Sequence, residues 1–503
     1  MQQKNIFKQI SFLIPAILVV VLGYISINLT ACRKLSKTRQ QGSIAFSVDT
    51  LMFDTVFTAQ ATSTRMVKIY NKEKERINIT SIRLFRGNSS PYFINVNGKS
   101  GKEVHDITIE GNDSIYVFAS VFINPENQNE PFIVEDQIIA TVGNQDNKLE
   151  VLGYGQDAVY ITDSVLTTQT WTKDKPYVIV KNAWVDEGQT LTLQPGTRVY
   201  VHADSRLFVA GSLNINGTKQ DSVVFQGDRI DRRIYFDPED FNNGVGGEWG
   251  GLYFTQTSYN NHINYAIFKN GGAVTYLFDT IPVMAATIQV DKDTVGGNPK
   301  LIMTNSIIRN SGGYGLLSFG GSIKAENSLF FGSVYENIAF IEGGKYEILG
   351  CTITGFTPRA SSATEKHYCI AATDFFKAGN QPAIWNKLTA TFRNCIIYGN
   401  GQDELFLNSI ENAPSLPNVL VENCLIRKTK DFPAWANIAN SNIFNQDPEF
   451  EKTSGNNYAI ASDDYHLKAS SPAKGAGASF SGMLPLDMDG NPRANPPSIG
   501  CFE

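Results

Sequence analysis

The stretch TNSIIRNSGGYGLLSFGGSIKAENSLFFG, residues 304–332, contains the same short pattern twice. TNSIIRN (304–310) and ENSLFFG (326–332) each place an asparagine and a serine before a short, mostly apolar run. The two serines, Ser306 and Ser328, are 22 residues apart. A recurring unit of this length is typical of one turn of a solenoid, in which each unit needs neighbours to cover its apolar edge.

The same pattern occurs at four further places in the chain. A small residue precedes the apolar run in every copy, and these residues are Ala266, Ser306, Ser328, Cys351, Cys395 and Cys424. They lie 40, 22, 23, 44 and 29 residues apart, as expected for a unit of about 22 residues that is sometimes doubled or interrupted by an insertion. The units lack the leucine spacing of leucine-rich repeats. Short strands with glycine and asparagine at the turns favour a right-handed parallel β-helix instead.

Stacked coils place equivalent residues about 4.8 Å apart, the ordinary strand spacing. The small residues are therefore expected to line one narrow inner corner of the solenoid. The residues just before four of them, Asn305, Asn327, Asn394 and Asn423, are expected to form a ladder of amide side chains. Cys351, Cys395 and Cys424 are interpreted as small buried residues, with a disulfide or metal role as the alternative.

The flanks of the repeat carry a resemblance to known proteins. Residues 178–228 followed by EWGGLYF (248–254), and the closing segments DPEF (447–450), DYHLKASSPAKGAGA (464–478) and DMDGNPR to IGCFE (487–503), resemble secreted bacterial β-helices of the pectate-lyase-like superfamily. The resemblance implies a right-handed parallel β-helix over residues 175–503 with a closing C-terminal segment. It implies no particular activity, because function depends on sites rather than folds.

The N-terminal region contains a second fold signal. Between residues 44 and 157 short segments alternate apolar and polar residues, as in RMVKIYN (65–71) and RINITSIRL (76–84). About seven strands in this length predict an immunoglobulin-like β-sandwich, and the region resembles small sandwich domains that follow lipid anchors in bacterial envelope proteins. Residues 158–174 are interpreted as a linker. The predicted fold class is therefore all-β throughout.

The first 31 residues resemble a lipoprotein signal peptide. An apolar run from Ile10 to Leu29 follows two lysines and ends in LTAC (29–32), which is similar to the lipobox of bacterial lipoproteins. An uncleaved membrane helix is the alternative, since the run is long enough to span a bilayer. The resemblance implies a lipid on Cys32, a tether over residues 32–43 and an outer-membrane lipoprotein. Basic residues after Cys32 leave the choice between its periplasmic and surface faces open.

Composition limits the classes of ligand. A net charge of −6 over 503 residues, without a basic stripe, argues against nucleic acid. The six cysteines form no Cys-x-x-Cys pair, so a zinc site is not expected. No phosphate-binding glycine loop is present, and neither a cofactor nor a metal is predicted. The motifs of polygalacturonase-type hydrolases are missing, and the repeated strands offer no clear acidic cluster for a lyase-type calcium site.

Two insertions are the candidate ligand sites, because binding residues collect on loops held by a rigid scaffold. The first spans 228–249 and the second 357–388. Each has two interpretations, ligand contact or a cover for the coil edge. The candidate residues are Arg229, Arg232, Arg233, Tyr235 and Asp237 in the first insertion and Tyr368, Phe375 and Trp385 in the second. The sequence favours a non-catalytic envelope protein that binds a polysaccharide or an envelope protein. A divergent polysaccharide lyase is one alternative, and a purely structural or adhesive surface protein is another.

Overall fold

The computed structural model describes residues 38–39, 41–60, 64–228, 246–277, 281–294, 296, 298–356, 366–377, 379, 381–453 and 463–503. Within these ranges the chain is all-β, apart from one short 3₁₀ turn at Gly87–Ser89. The chain divides into two compact units, of which the second contains the whole of residues 154–503. The all-β class predicted from the sequence is confirmed.

The first unit consists of two β-sheets. Its strands are β1 (Thr38–Arg39), β2 (Ile44–Phe46), β3 (Thr50–Phe57), β4 (Arg65–Asn71), β5 (Arg76–Leu84), β6 (Tyr92–Val96), β7 (Lys99–Gly101), β8 (Glu103–Ile109), β9 (Ser114–Val121), β10 (Phe132–Val142) and β11 (Gln145–Gln156). A six-stranded sheet has the order β1-β5-β10-β11-β3, with β8 also paired to β5. A five-stranded sheet has the order β2-β4-β9-β6-β7.

The two sheets bury apolar side chains between them. Alternate residues are buried, such as Ile77 and Ile79 in β5 and Val67 and Ile69 in β4, as expected when one face of each sheet is covered. The Tyr92 hydroxyl of the five-stranded sheet donates a hydrogen bond to the Val134 carbonyl of the six-stranded sheet at 2.7 Å. The unit is therefore a β-sandwich, and the narrower immunoglobulin-like assignment stays a prediction.

The second unit is a parallel β-helix. Its strands are β12 (Val159–Leu166), β13 (Gln169–Trp171), β14 (Tyr177–Val185), β15 (Thr190–Leu193), β16 (Arg198–Val201), β17 (Arg206–Val209), β18 (Ser212–Asn216), β19 (Val223–Gly227), β20 (Gly251–Phe254), β21 (Asn261–Asn264), β22 (Ala266–Lys269), β23 (Thr275–Leu277), β24 (Ile281–Val283), β25 (Ala286–Val290), β26 (Leu301–Thr304), β27 (Ile307–Arg309), β28 (Tyr314–Phe319), β29 (Ser322–Glu326), β30 (Leu329–Phe331), β31 (Ile338–Ile341), β32 (Gly344–Leu349), β33 (Thr352–Gly355), β34 (Ile370–Thr373), β35 (Phe375–Phe376), β36 (Ile384–Trp385), β37 (Leu388–Arg393), β38 (Ile396–Gly399), β39 (Leu405–Asn408), β40 (Asn418–Glu422), β41 (Leu425–Ile426), β42 (Asn437–Ile438), β43 (Ile443–Phe444), β44 (Phe450–Lys452) and β45 (Asp464–Leu467).

Each regular coil contributes three strands. In the coil formed by β27, β28 and β29, these strands pair in parallel with β30, β31 and β32 of the next coil. Ile307 lies opposite Leu329 and Leu316 opposite Ile338, so the register repeats after the 22 residues that the sequence indicated. Most of these strands belong to an 18-stranded and a 10-stranded sheet, whereas β23–β24, β35–β36 and β44–β45 form separate two-stranded sheets.

The structure differs from the sequence analysis at residues 158–174. The segment predicted to be a linker forms β12 and β13, which pair in parallel with β14 and β15. Leu166 and Trp171 are buried and join the apolar interior of the solenoid. Burial of these side chains and pairing of the backbone explain why the segment is ordered. The β-helix therefore begins before residue 175.

The corner that precedes each small residue has a shared backbone conformation. Tyr265, Asn305, Asn327, Gly350, Asn394 and Asn423 all have positive φ, between 46° and 56°. Asparagine and glycine adopt this left-handed conformation at least cost, which explains their recurrence in the sequence. The six small residues that follow are all buried. The structure thus confirms one narrow inner corner.

The amide ladder is confirmed in part. The Asn327 amide donates to Asn305 Oδ1 at 2.8 Å, and the Asn305 amide donates to Asn264 Oδ1 at 2.8 Å. Gly350 interrupts the series because it has no side chain. Asn394 instead exchanges two hydrogen bonds with the backbone of Ala478 in the closing segment. The ladder therefore runs through Asn264, Asn305 and Asn327 and does not include Asn394 or Asn423, although these two lie on adjacent coils.

Three of the five described cysteines, Cys351, Cys395 and Cys424, occupy this corner, whereas Cys369 precedes β34 and Cys501 lies in the closing segment. All five are buried and form no disulfide. Burial raises the pKa of the Cys351 and Cys395 thiols well above the ordinary value, and that of Cys501 to about 12. These thiols are small core groups, as predicted for Cys351, Cys395 and Cys424. Cys32 lies outside the described residues.

The closing segment packs along the outside of the coils. Ile499, Cys501 and Phe502 join Phe331 and Tyr398 in an apolar cluster separate from the solenoid interior. The Cys501 amide donates to Thr352 Oγ1, and Arg493 donates to the Gly500 carbonyl and to Asn327 Oδ1. The last residues therefore connect several coils.

A histidine between two carboxylates holds this segment. His466 Nδ1 lies 2.5 Å from Asp464 Oδ1, and His466 Nε2 lies 2.6 Å from Asp489 Oδ2. Burial lowers the pKa of His466, but the hydrogen bonds and negative charges of Asp489 and Asp464 outweigh it and raise the pKa above its usual value. Lys219, on an earlier coil, lies 3.6 Å from Asp489 Oδ1.

Substitution of Asn327 is expected to separate the backbone and amide contributions at the corner. Asn327→Ala removes hydrogen bonds and places alanine at positive φ, so the free energy of unfolding should fall by about 2–3 kcal/mol. Asn327→Gly loses the same amide but tolerates the backbone, and should cost about 1 kcal/mol less. Urea denaturation of the two variants measures the difference. Equal losses would contradict a role for the left-handed conformation.

Replacement of His466 is expected to have a pH-dependent cost. Because its folded pKa lies above the unfolded value of about 6.5, the protonated ring stabilises the fold below that pH. The stabilisation is lost as pH rises through the folded pKa. Urea denaturation of wild type and His466→Gln from pH 5 to pH 9 should therefore give curves that differ most at the acidic end. The exposed His262→Gln serves as the control, and a constant difference for His466→Gln would refute the linkage.

Candidate functional site

The second insertion contains a small hairpin formed by β35 and β36. Phe375 lies opposite Trp385, and Phe376 lies opposite Ile384. Adjacent residues of a strand point to opposite faces, so Phe375 and Trp385 share one face of the hairpin. On the other face, the Phe376 ring makes an edge-to-face contact with Phe319 of β28, with ring centroids 5.4 Å apart. Phe376 thus attaches the hairpin to the solenoid and leaves the Phe375 face available.

A buried carboxylate positions the hairpin. Asp374 is completely buried, directly before β35. Its Oδ2 accepts hydrogen bonds from Trp385 Nε1 at 3.1 Å and Ser409 Oγ at 2.6 Å, and its Oδ1 accepts from the Ile410 amide at 2.9 Å. Three donors satisfy the charge, as a buried carboxylate requires. Asp374 therefore connects the hairpin to the segment that follows β39.

A groove lies between the hairpin and that segment. It has a volume of about 620 Å³. Its lining residues are Phe375, Lys377, Gln381, Pro382, Ala383, Asn408, Ser409, Ile410 and Glu411. An aromatic ring, two side-chain amides, a hydroxyl and two charges of opposite sign thus surround one open space. Ligand sites commonly combine apolar surface with a few placed polar groups in this way.

One polar group of the groove is preoriented. Asn408 Oδ1 accepts a hydrogen bond from the Ser409 amide at 2.9 Å, which fixes the side chain. Asn408 lines the groove, and its amide carries an NH₂ donor beside the fixed oxygen. Ser409 is fixed in turn by Asp374. The rim is therefore held by hydrogen bonds, while Lys377, Gln381 and Glu411 are exposed and adaptable.

The structure brings together two of the three candidates from the second insertion. Phe375 lines the groove and Trp385 lies beside it, whereas Tyr368 stacks on Phe406, with ring centroids 4.8 Å apart and planes inclined by 14°. Burial raises the pKa of Tyr368 above its usual value. Tyr368 does not line the groove. The candidates of the first insertion, Arg229, Arg232, Arg233, Tyr235 and Asp237, lie outside the described residues.

Sequence analysis missed the second wall of the groove. Asn408, Ser409 and Glu411 lie outside both insertions, at the end of β39 and directly after it, and Asp374 was not selected as an organising residue. The only sequence signal was a run of polar residues directly after a buried strand, in LFLNSIEN (405–412). Coil stacking places this run beside the hairpin, and that relation is not visible in one sequence without the register.

The part of the chain that the structure describes contains no group of three His, Cys, Asp or Glu side chains suited to hold a metal ion. In the same part of the chain, no helix has the length and apolar character needed to cross a membrane.

Comparison with known proteins supports the fold. Residues 288–463 match the family model described as a right handed beta helix region. The β-helix predicted from the sequence is thereby confirmed. No curated protein matches the chain.

Two solved structures show weak similarity. One is a family 123 glycoside hydrolase from Clostridium perfringens, with 9% identity, a TM-score of 0.17 and coverage of 23% of this chain and 26% of that chain. The other is PapD-like domain 7 of human CEP192, with 10% identity, a TM-score of 0.16 and coverage of 25% of this chain and 94% of that chain. The chain thus matches only about a quarter of the hydrolase. At TM-scores this low, neither similarity carries an argument.

Asp374→Asn is expected to loosen the groove without unfolding the solenoid. The substitution replaces one acceptor oxygen by an NH₂ group that faces existing donors, at a cost of about 1–3 kcal/mol. Hydrogen exchange followed by mass spectrometry should then show faster exchange in residues 375–385 and 409–411. The exposed Asp431→Asn is the control. Unchanged exchange in both segments would exclude Asp374 as the element that joins them.

Proposed function

We propose that this protein is a lipid-anchored component of the bacterial cell envelope whose β-helix binds a glycan, without cleaving it, at the groove between the β35–β36 hairpin and residues 408–411. The observation that carries the proposal is that Phe375 and Asn408, whose side chain is held by the Ser409 amide, line the same open groove of about 620 Å³. The aromatic ring supplies a flat apolar face, and the amide supplies a directed hydrogen bond.

These groups match the chemistry of a sugar ring. A pyranose presents C–H bonds on its faces and hydroxyl groups around its edge, so it packs on an aromatic face while its edge exchanges hydrogen bonds. Phe375 suits the first contact, and Asn408, Gln381 and Ser409 suit the second. Lys377 and Glu411 add one charge of each sign, which allows recognition of a sugar acid or an amino sugar. Because the groove is open rather than enclosed, it suits an internal segment of a polymer.

The carboxylates of the groove favour binding over hydrolysis. Glycoside hydrolysis ordinarily uses two carboxyl groups that flank the scissile bond. Among the described lining residues, Glu411 is the single carboxylate, and the oxygens of the nearby Asp374 already accept three hydrogen bonds. A binding role therefore needs fewer groups beyond the described residues than hydrolysis would need.

Localisation follows from the lipobox-like sequence. We propose that Cys32 carries the lipid, that the protein resides in the outer membrane, and that the sandwich, of immunoglobulin-like type, acts as a spacer or interaction module behind the anchor. The motif LTAC (29–32) after an apolar run supports this assignment. A polysaccharide or another envelope component is then the partner within reach of the solenoid.

A glycan array probed with the full chain, purified in detergent, tests the function. Phe375→Ala should weaken binding to the selected glycan about tenfold, as expected when one aromatic contact of roughly 1.4 kcal/mol is lost. Isothermal titration calorimetry measures the affinity of each variant.

Ile384→Ala is the matched control, because Ile384 is an exposed apolar residue on the opposite face of the same hairpin. Its affinity should stay within about twofold of wild type, well under the tenfold change expected for the lost contact. If Phe375→Ala and Ile384→Ala changed the affinity for the glycan by the same factor, the binding site would lie elsewhere. New reducing ends or unsaturated sugars in the supernatant would refute a non-catalytic role.

A further inference from the structure

The five-stranded sheet of the sandwich exposes an apolar outer face. Its inward residues are buried against the other sheet, while outward residues that would ordinarily be polar are large and apolar. The exposed residues are Met66 at 52%, Phe93 at 46%, Tyr116 at 42%, Phe118 at 40% and, directly after β9, Phe122 at 42% relative accessibility. Exposed apolar side chains that cluster in this way mark an interaction site.

Strand pairing places these side chains in one patch. Met66 of β4 lies opposite Phe118 of β9, and Phe118 lies opposite Asn95 of β6 on its other side. Phe93 lies opposite Ser120, two residues along the same face. The rings of Tyr116 and Phe118 have centroids 6.2 Å apart. The patch therefore extends across the three central strands of the sheet rather than along one edge.

One cation and no carboxylate of these strands lie on the outer face. The five strands contain no Asp or Glu. Lys68 lies opposite Tyr116 on the outer face, whereas Arg65 and Lys99 lie opposite the buried Ala119 and Val96. Lys68 Nζ lies 4.9 Å from the centroid of the Tyr116 ring, and Lys102 Nζ lies 3.2 Å from that of Phe93. The strands of the six-stranded sheet differ, because they contain seven carboxylates: Asp54, Glu103, Asp106, Glu135, Asp136, Asp146 and Glu150. An apolar outer face whose strands carry Lys68 and no carboxylate matches an anionic lipid surface.

Chain length limits how far this face can lie from the anchor. Thr38 of β1 pairs with Arg76, and it follows Cys32 by only six residues. Six extended residues span about 20 Å. A lipid on Cys32 therefore holds the sandwich close to the bilayer, at a distance comparable to the thickness of the sandwich itself. Some face of the sandwich must then lie near the headgroups. The exposed apolar side chains and the absence of carboxylates on its strands select the five-stranded sheet.

We propose that the outer face of the five-stranded sheet docks on the anionic phospholipid surface that carries the Cys32 anchor, with the apolar side chains among the headgroups and Lys68 at the lipid phosphates. The proposal rests on the proposed lipid at Cys32 and extends it. The lipid holds the protein in the membrane, and the patch sets the orientation of the sandwich. The long Lys68 side chain can extend toward the phosphates while its stem covers the Tyr116 ring.

Fluorescence quenching by brominated lipid tests the depth of this face. The full lipidated chain with Phe118→Trp is reconstituted into vesicles of phosphatidylethanolamine and phosphatidylglycerol whose acyl chains are brominated near the glycerol. Phe85→Trp is the matched control, because Phe85 is exposed and adjoins the six-stranded sheet. The five native tryptophans all lie at or after residue 171, and wild type measures their background. After this correction, Phe118→Trp should be quenched at least twofold more than Phe85→Trp.

Equal quenching of the two variants would overturn the docking. A dimer in sedimentation velocity, combined with an absence of quenching of Phe118→Trp, would overturn it in favour of a second copy on this face. Met66→Asp combined with Phe93→Asp should abolish the difference between the two tryptophan positions, and circular dichroism checks that the variant is folded. Raised salt should weaken the quenching of Phe118→Trp, because salt screens the attraction between Lys68 and the lipid phosphates.

A separate measurement distinguishes failure of the lipid anchor at Cys32 from failure of the docking. Mass spectrometry of the N-terminal peptide shows whether Cys32 carries acyl chains, independently of how the sandwich is oriented. If Cys32 is acylated and quenching is equal, the anchor stands and the docking is refuted. If Cys32 is not acylated, the anchor fails. Flotation of the same protein with these vesicles then tests the docking. Flotation that is lost in the variant with Met66→Asp and Phe93→Asp would support the docking, and an absence of flotation would refute it.

Discussion

Backbone hydrogen bonding between successive coils is the constraint on which the β-helix depends. Each strand of a coil satisfies its amides and carbonyls through the coils before and after it, as in β28, which pairs with β25 and β31. A single coil has no such partners and cannot bury its apolar edge. The coil must therefore return to the same register after each turn. This requirement aligns Leu316 with Ile338, and Ile338 with Ile370, in a continuous buried stack.

The corners of the coil show how the sequence meets this constraint. A turn in left-handed conformation precedes a small buried residue at six successive positions. Asparagine suits the turn twice, because it tolerates positive φ and because its amide bonds to the asparagine one coil away. Serine, alanine and cysteine are interchangeable at the next position since the interior there has little room. Cys351, Cys395 and Cys424 are thus a consequence of packing at this corner.

Function is inferred for places where the chain departs from the repeat. The β35–β36 hairpin interrupts a coil, and a single buried carboxylate, Asp374, attaches it to the segment after β39. In the sandwich, the outward side chains of Tyr116 and Phe118 in β9 are aromatic where an exposed face would ordinarily be polar. In both cases a regular scaffold holds side chains whose burial would have stabilised the fold further, which is typical of surfaces used for binding.

The sequence by itself determined the repeating unit, the corner residues and the all-β class, because these follow from local backbone preference and from periodic burial. It also pointed to Phe375 and Trp385. It could not assign residues 158–174 to the solenoid, since their short apolar runs acquire meaning only when paired with β14 and β15. Nor could it join Asp374 to Ser409, which are 35 residues apart in the chain but lie within hydrogen-bonding distance. Tertiary structure decided these points, because register between coils, unlike periodicity within them, is set by contacts between residues distant in sequence.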